Sequence, residues 1–454
     1  MKTPIFDFVC RYAKGNNTRL HMPGHKGKEL MGFEKYDITE IDGADCLYRD
    51  SGIIKESQEN ASRLFGSGKT LYSCEGSSLT IRAMMHMIRV YKGQGYVLAG
   101  RNAHSSFISA CALCGLDVEW IFPKDERSYL SCVLDGEKLE KALACVDKMP
   151  VCVYVTSPDY LGNVCDISSL ARVCRERDIP LVVDNAHGSY LKFLNDDLHP
   201  ITKGATMCAD SAHKTLPVLT GGGYLHISRD APRELACEAE NAMRLFASTS
   251  PSYLILSSLD KANELLAGEY SRRLNQMAEL IKEKKKSLTA YLERGAFVGD
   301  EPLKITIETT KLGHRGGDFA KILMENNIFV EFYDHRYLVL MASPENEPWE
   351  IEKLFSVLGS IEIKEPILEN EGALVPPQRA MGIREAAFSK RERVEIDNCV
   401  GRVLATSAVS CPPAVSLIVC GEVFNESIVA LCKKQGITHC DVVTADLPFC
   451  KMEN

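Results

Sequence analysis

The chain of 454 residues predicts an α/β fold: a large domain on a mostly parallel sheet, then a small α+β domain and a C-terminal α+β unit. Three observations predict it. Short apolar runs at residues 95–98, 151–155, 181–184 and 223–227 are separated by helical stretches such as 168–177, the alternation of a sheet buried on both faces. His104, Thr156, Asp184 and Lys214 each follow an apolar run, and in doubly wound sheets the functional loops lie beyond the strand ends. The length exceeds one ordinary core. It divides into an arm (1–50), a large domain (51–255), a small domain (256–365) and a C-terminal unit (366–454).

Composition narrows the function. Apolar residues make up 45% and charged ones 25%, as in ordinary soluble proteins. Lys and Arg number 53 against 61 Asp and Glu, a net charge of −8, which disfavours a nucleic-acid groove and suits a cationic small molecule. The first residues lack a basic segment followed by an apolar core, and no uncharged run approaches the roughly 18 residues of a membrane span. A cytoplasmic protein that binds neither membrane nor nucleic acid is the expectation. Its 18 cysteines then stay reduced, and Cys145, Cys152 and Cys174 serve as small apolar core residues. Cys111 and Cys114 have a metal-like spacing but no second pair at a matching distance, so no metal is expected.

Taken in order, residues 1–50 read as an arm. His21 and His25 have helical i, i+4 spacing, but Pro23 and Gly24 between them break a helix and speak against a metal pair. Residues 56–64 suit an amphipathic helix. Residues 70–78 read as a strand, a glycine turn and hydroxyls that open a helix over 79–91. Gly76, Ser77 and Ser78 at such an N-terminus suit an anion, although the same pattern also serves plain capping; Glu75 beside them would repel a phosphate unless it points away. After the strands come helices over 242–246 and 253–265, continuing to 286; the run of Arg272, Arg273, Lys282, Lys284, Lys285 and Lys286 reads as a solvated face. Residues 303–307, 329–332 and 337–341 alternate as half-buried strands, with helices over 318–325 and 350–360. A linker follows at 365–378, and 417–422 is the clearest strand-turn of the last unit.

The chemistry centres on Ser211-Ala212-His213-Lys214-Thr215, followed by an apolar stretch and Gly221, Gly222 and Gly223. Desolvation lowers a lysine pKa and makes its amine a nucleophile toward a carbonyl. A lone lysine is more often a solvated surface residue. Thirty residues earlier, however, an apolar strand ends in Asp184-Asn185-Ala186-His187-Gly188. A lysine to hold an aldehyde and an aspartate to face a pyridinium nitrogen are what a pyridoxal 5'-phosphate (PLP) site requires. The bland reading of Asp184 is a helix cap.

With these motifs stand His21-Met22-Pro23-Gly24-His25-Lys26-Gly27, Arg101-Asn102-Ala103-His104-Ser105-Ser106, Thr156-Ser157-Pro158 and Ser250-Pro251-Ser252-Tyr253. In this ordered set the chain resembles the fold-type I (aspartate aminotransferase-like), PLP-dependent ornithine/lysine/arginine decarboxylases, in the short form without an N-terminal wing domain. The resemblance implies decarboxylation of arginine, lysine or ornithine to an amine of polyamine metabolism. It implies Lys214, Asp184 and His104 as catalytic residues: Lys214 on the aldehyde, Asp184 keeping the pyridine nitrogen protonated, His104 stacked on the ring. Gly76, Ser77, Ser78, Ser211 and His213 would hold the phosphate, and His187 would lie beside the ring and its phenolic oxygen. Ser157-Pro158 would shape the pocket, and residues 21–27 would pack near its mouth. Ser250 would reach the neighbouring subunit's cofactor in a homodimer with shared sites. Gly401-Arg402 and Gly421-Glu422 extend the match. Cys411-Pro412-Pro413-Ala414-Val415-Ser416 departs from the usual Tyr-Pro-Pro-Gly-Ile-Pro pattern. Competing readings are another fold-type I activity, an aminotransferase or aldol-type lyase, and a catalytically silent homologue that acts as a binding partner.

Overall fold

The computed structural model describes residues 1–49, 51–123, 128–368, 375–407 and 414–444. Its centre is a seven-stranded sheet of β1 (Lys69–Ser73), β2 (Tyr96–Gly100), β3 (Asp117–Ile121), β4 (Cys152–Thr156), β5 (Leu181–Asp184), β6 (Met207–Asp210) and β7 (Gly223–Ile227). The strand order is β1-β7-β6-β5-β4-β2-β3. β7 pairs antiparallel with both neighbours, and all other pairings are parallel, so the expected mostly parallel sheet is present. β5, β6 and β7 are buried at every residue, as strands covered on both faces must be. β3 escapes the sequence pattern because it is an edge strand whose Asp117 and Glu119 face solvent.

Helices cover the expected stretches, with differences, and the one expected over 242–246 is the end of a longer helix, Arg233–Phe246. The expected helix over 253–286 is two, Tyr253–Leu266 and Tyr270–Ser287, parted at Gly268, a poor helix former. The cationic face of the second is only partly solvated: Lys285 turns inward, its Nζ donating to the Lys304 carbonyl (3.0 Å), and burial lowers its pKa. Where the sequence reads an arm, helix Pro4–Lys14 docks on Tyr253–Leu266. Ile5 and Val9 are buried, and Asp260 accepts the Ile5 and Phe6 amides at 2.9 and 3.0 Å. Leu20, Leu30 and Met31 beyond it are exposed. His21 contacts the Tyr12 hydroxyl and His25 pairs with Asp37, so the two histidines serve different partners.

The small domain carries β8 (Phe297–Val298), β9 (Lys304–Glu308), β10 (Phe332–Tyr333) and β11 (Tyr337–Met341), antiparallel in the order β10-β11-β9-β8. β9 is fully buried, not half-buried, because the loop after β4 packs over Lys304; its Nζ donates to the carbonyls of Asp159 (3.2 Å) and Tyr160 (3.4 Å). Of the run 329–332 only Phe332 enters a strand, and Phe329 is exposed. In the C-terminal unit β12 (Arg391–Glu395) pairs with β13 (His439–Val443) beside helix Glu426–Lys434. Residues 417–422 are not the expected strand. They form buried turns, and one isolated bridge, Glu422 to Arg379, is the strand-like pairing they make among the described residues. Cys411-Pro412-Pro413 and residues 369–374 of the expected linker lie outside the described residues.

Candidate active site

The C-terminal ends of β2, β4, β5 and β6 converge on one edge of the sheet, and so does the turn after β1. β5 delivers Asp184, which is buried. Its Oδ2 accepts the Tyr154 hydroxyl (3.1 Å) and its Oδ1 the Ala186 amide (3.2 Å). Burial raises its pKa, and the charge of Lys214 nearby works the other way. β6 ends at Asp210, and the short turn Ala212–Thr215 that follows carries Lys214.

The Lys214 Nζ lies 3.2 Å from His187 Nε2. Burial, reinforced by Lys214, holds the His187 pKa well below its ordinary value, so the ring is neutral. An ammonium can only donate; facing Lys214 in that form, Nε2 accepts and the ring proton sits on Nδ1. That Nδ1 is buried without a hydrogen-bond partner, a donor awaiting an acceptor. The Thr156 hydroxyl at the end of β4 is buried and unpartnered too.

His104 caps helix Ser105–Cys114: its Nδ1 accepts the Ser106 amide (3.1 Å). Burial, with Lys214 and Arg82 nearby, lowers its pKa to about 4, so this ring is also neutral at pH 7. The Ser106 hydroxyl continues to that of Ser78 (2.8 Å), and Ser211 Oγ donates to Ser77 Oγ (2.8 Å). Gly76 has φ +64°, the left-handed region, and its amide reaches the Gly221 carbonyl (2.7 Å). A Cβ on Gly223 would come within 2.8 Å of the Asp210 carbonyl, which explains the glycine where the two segments touch. His213 is locked to Gly222, its Nδ1 donating to the carbonyl (2.9 Å). Gly76, Ser77, Ser78, Ser211 and His213 thus gather at the start of the 17-residue helix Gly76–Lys92, whose free amides and dipole suit an anion. Glu75 does not spoil the cradle: its Oε1 accepts the Ser248 amide (2.8 Å), turning the carboxylate toward the loop that follows helix Arg233–Phe246. Ser250, on that loop, is exposed, and its amide donates to Ser248 Oγ (3.2 Å).

Sequence reasoning missed several supporting residues. Beneath the edge, Asp210 accepts from Asn185 Nδ2 (2.8 Å) and His199 Nε2 (3.1 Å), with His226 Nε2 at 3.5 Å. Burial alone would raise its pKa, but the two histidines outweigh burial and hold it well below the carboxylate range. His199, Cys208 and Asp210 bring possible metal ligands within 4.8 Å of one another. Yet His199 Nδ1 accepts the Ile201 amide (3.4 Å), which leaves the ring proton on Nε2 to donate to Asp210, the arrangement of a hydrogen-bond cluster. At the side, Tyr160 stands edge-on to His187 (centroids 5.4 Å, 80°) and to Phe332 (5.3 Å, 87°). From the C-terminal unit, Val415 forms a backbone bridge to His104, and Ser105 donates to the Ala414 carbonyl (2.8 Å). That junction is fastened by buried Arg101, which donates to the carbonyls of Ser416 (2.8 Å) and Leu417 (3.2 Å) and to Glu422 (3.1 Å). Arg101 and Glu422 lie in sequence motifs, but their contact joins residues 321 positions apart and spacing does not announce it.

The chain matches two family models, "Orn/Lys/Arg decarboxylase, major domain" over residues 3–300 and "Orn/Lys/Arg decarboxylase, C-terminal domain" over 367–433. It is 30% identical over 467 residues to an arginine decarboxylase of Halalkalibacterium halodurans, covering 96% of this chain and 94% of that protein. Among solved structures it resembles the lysine decarboxylase LdcF of Francisella novicida, with a TM-score of 0.76, 18% identity and coverage of 97% and 81%. It also shares its fold with a structure of SPT with PLP, at a TM-score of 0.53 and 12% identity, covering 79% of this chain and 83% of that one.

Proposed function

The chain belongs to the Orn/Lys/Arg decarboxylase family, and from that premise we propose that it removes the α-carboxylate of a basic amino acid, with arginine ahead of lysine and ornithine. Arginine comes first because the relative named for it matches along nearly the whole chain. The observation that carries the proposal is the convergence of Lys214, Asp184 and His104 on one sheet edge beside an anion cradle.

The residues fit PLP. Lys214 supplies the amine for the aldehyde, Asp184 a buried carboxylate for the ring nitrogen, and the cradle of Gly76, Ser77, Ser78, Ser211 and His213 a place for phosphate. His187 Nδ1 is an unused donor suited to the phenolic oxygen. When bound, PLP supplies an electron sink for the carbanion left by departing CO2. The chain does the rest. Asp184 holds a proton on the pyridine nitrogen, since a carboxylate beside it favours the charged ring. His104, kept neutral, offers a flat uncharged face and takes no proton from water near pH 7. His187 Nε2, 3.2 Å from Lys214 Nζ, is placed to accept a hydrogen bond from that amine and orient it.

Assembly belongs to the same reading. The exposed loop of Ser248 to Ser250 leans on the turn at Glu75, and this supports a homodimer in which Ser250 reaches the partner's site. The described cysteines are all free thiols, which suits a reducing, cytoplasmic place of action.

The test is direct. Purified protein with PLP is given arginine, lysine and ornithine, and CO2 and amine products are measured. At least one pair should appear; a keto acid instead of CO2 would replace the proposal with transamination, and no product from any of the three would end it. For assembly, Lys214→Ala and Ser250→Arg proteins are mixed and allowed to exchange. With two-fold symmetry half the dimers are mixed and each has one intact site, so activity should return to roughly a quarter of wild type. No return after complete exchange would refute the shared site.

A further inference from the structure

We propose that Glu331, steered by Tyr160, binds the distal cation of the substrate; the inference rests on the decarboxylase reading and names its recognition residue. The Tyr160 hydroxyl donates to Glu331 Oε1 (3.2 Å), while the ring of the same tyrosine stands edge-on to His187. A carboxylate therefore lies one aromatic ring beyond the imidazole that touches Lys214 Nζ. The wall alongside is apolar. Tyr160, Leu161, Phe332 and Val415 belong to one hydrophobic cluster, and Val415 is bridged to His104. Going outward, the site offers an amine, an apolar wall and then a negative charge. A linear basic amino acid presents the matching order of α-amino group, methylene stem and cation.

Charge accounting singles out Glu331 among the acids of this face. Glu308 is neutralised by Arg336 and Lys311. Glu301 is buried against the Tyr190 hydroxyl. Asp334 accepts amides of its own hairpin, those of Arg336 and Tyr337. Glu331 is exposed, and among the described residues its carboxylate is engaged by the Tyr160 hydroxyl, with no cation paired to it. An ionised carboxylate accepts about four hydrogen bonds, so it retains room for a guanidinium or ammonium. The nearest buried cation, Lys304, lies over the Tyr160 ring at 5.8 Å, and its ammonium is taken up by the carbonyls of Asp159 and Tyr160.

The experiment compares wild type, Glu331→Gln and Glu331→Asp. Steady-state kinetics are measured with arginine, lysine and ornithine. Citrulline, which has the shape of arginine without its charge, is measured as an inhibitor, and calorimetry gives the affinities of agmatine, cadaverine and putrescine. Glu331→Gln should raise KM for the preferred substrate about 10- to 100-fold, with kcat changed less than about threefold, because a charged hydrogen bond is lost in ground and transition states alike. Amine affinity should fall by the same factor, the inhibition constant of citrulline should stay put, and Glu331→Asp should recover part of the loss. An unchanged KM in Glu331→Gln, or an equal weakening of citrulline, overturns the assignment while leaving the decarboxylase reading intact. If wild type decarboxylates nothing yet binds the amines more tightly than Glu331→Gln, the decarboxylase reading fails and the cation site stands.

Discussion

The sheet edge and the side wall beside it are built in opposite ways. The edge is local: Asp184, His187 and Lys214, with Ser211 and His213, lie within about thirty residues and are positioned by two adjacent strands. The wall is composite. Tyr160 comes from the loop after β4, Phe332 and Glu331 from the small domain, and Val415 from the C-terminal unit. A local edge keeps its geometry as long as one sheet folds. A composite wall depends on how three units are held together. That division is what separates reaction type from substrate choice in fold families where function sits on grafted sites.

The largest effects should come from the edge. Lys214→Ala should abolish the visible absorbance of bound PLP and lower activity at least about a thousandfold, since it removes the amine that would hold the aldehyde. Borohydride reduction and peptide mapping of wild type should find the pyridoxyl group on Lys214; finding it on another lysine would break the local picture. Asp184→Ala comes next: kcat should fall about a hundredfold or more while circular dichroism stays native, because the ring nitrogen loses the partner that keeps it charged. Activity near wild type would make Asp184 a mere cap.

The wall should respond through stability. Arg101 is buried with Glu422 and holds three acceptors of the C-terminal unit. Arg101→Ala strands the Glu422 carboxylate, whose pKa burial already raises, and should cost about 3–5 kcal/mol. Denaturant unfolding would show it, and KM should rise as Val415 loses its place beside His104. If stability falls but KM does not, the C-terminal unit is a prop and not part of the wall.

The same division explains what the sequence made legible. Apolar runs mark strands, and polar residues just beyond them mark the edge, so Asp184 and Lys214 can be paired from the pattern, whereas the role expected of His104 comes from the family resemblance. The wall leaves no such trace. Lys304 sits in a run that alternates like a half-buried strand, which puts the lysine in solvent; only the loop after β4, brought over it by the fold, buries it. Asp210, His199 and His226 are neighbours because β6 and β7 pair, and Asn185 joins them across β5. The turns at 417–422 escape the pattern for a related reason: hydrophobicity marks burial there, but not the hydrogen-bond partner that decides strand or turn.

His104 belongs to both regions, and its titration is the smallest effect and the sharpest probe of their junction. Its pKa is lowered to about 4 by burial and by the charges of Lys214 and Arg82, against an ordinary value of 6.5. Between those two pH values the unfolded chain binds a proton at this residue and the folded chain does not, so stability rises with pH across the window. The contribution is complete above 6.5 and is lost as pH falls toward 4. At about 1.4 kcal/mol per pH unit it amounts to at most about 3 kcal/mol. His104→Gln keeps the shape without the titration, so its unfolding free energy should be flatter than that of wild type between pH 4 and 6.5, with both proteins measured free of PLP. If Arg101→Ala releases Val415 and opens the ring to water, the double variant with His104→Gln should show less of this flattening than His104→Gln shows against wild type. Equal flattening in both backgrounds would mean that the edge alone sets the environment of His104 and that the wall does not reach it.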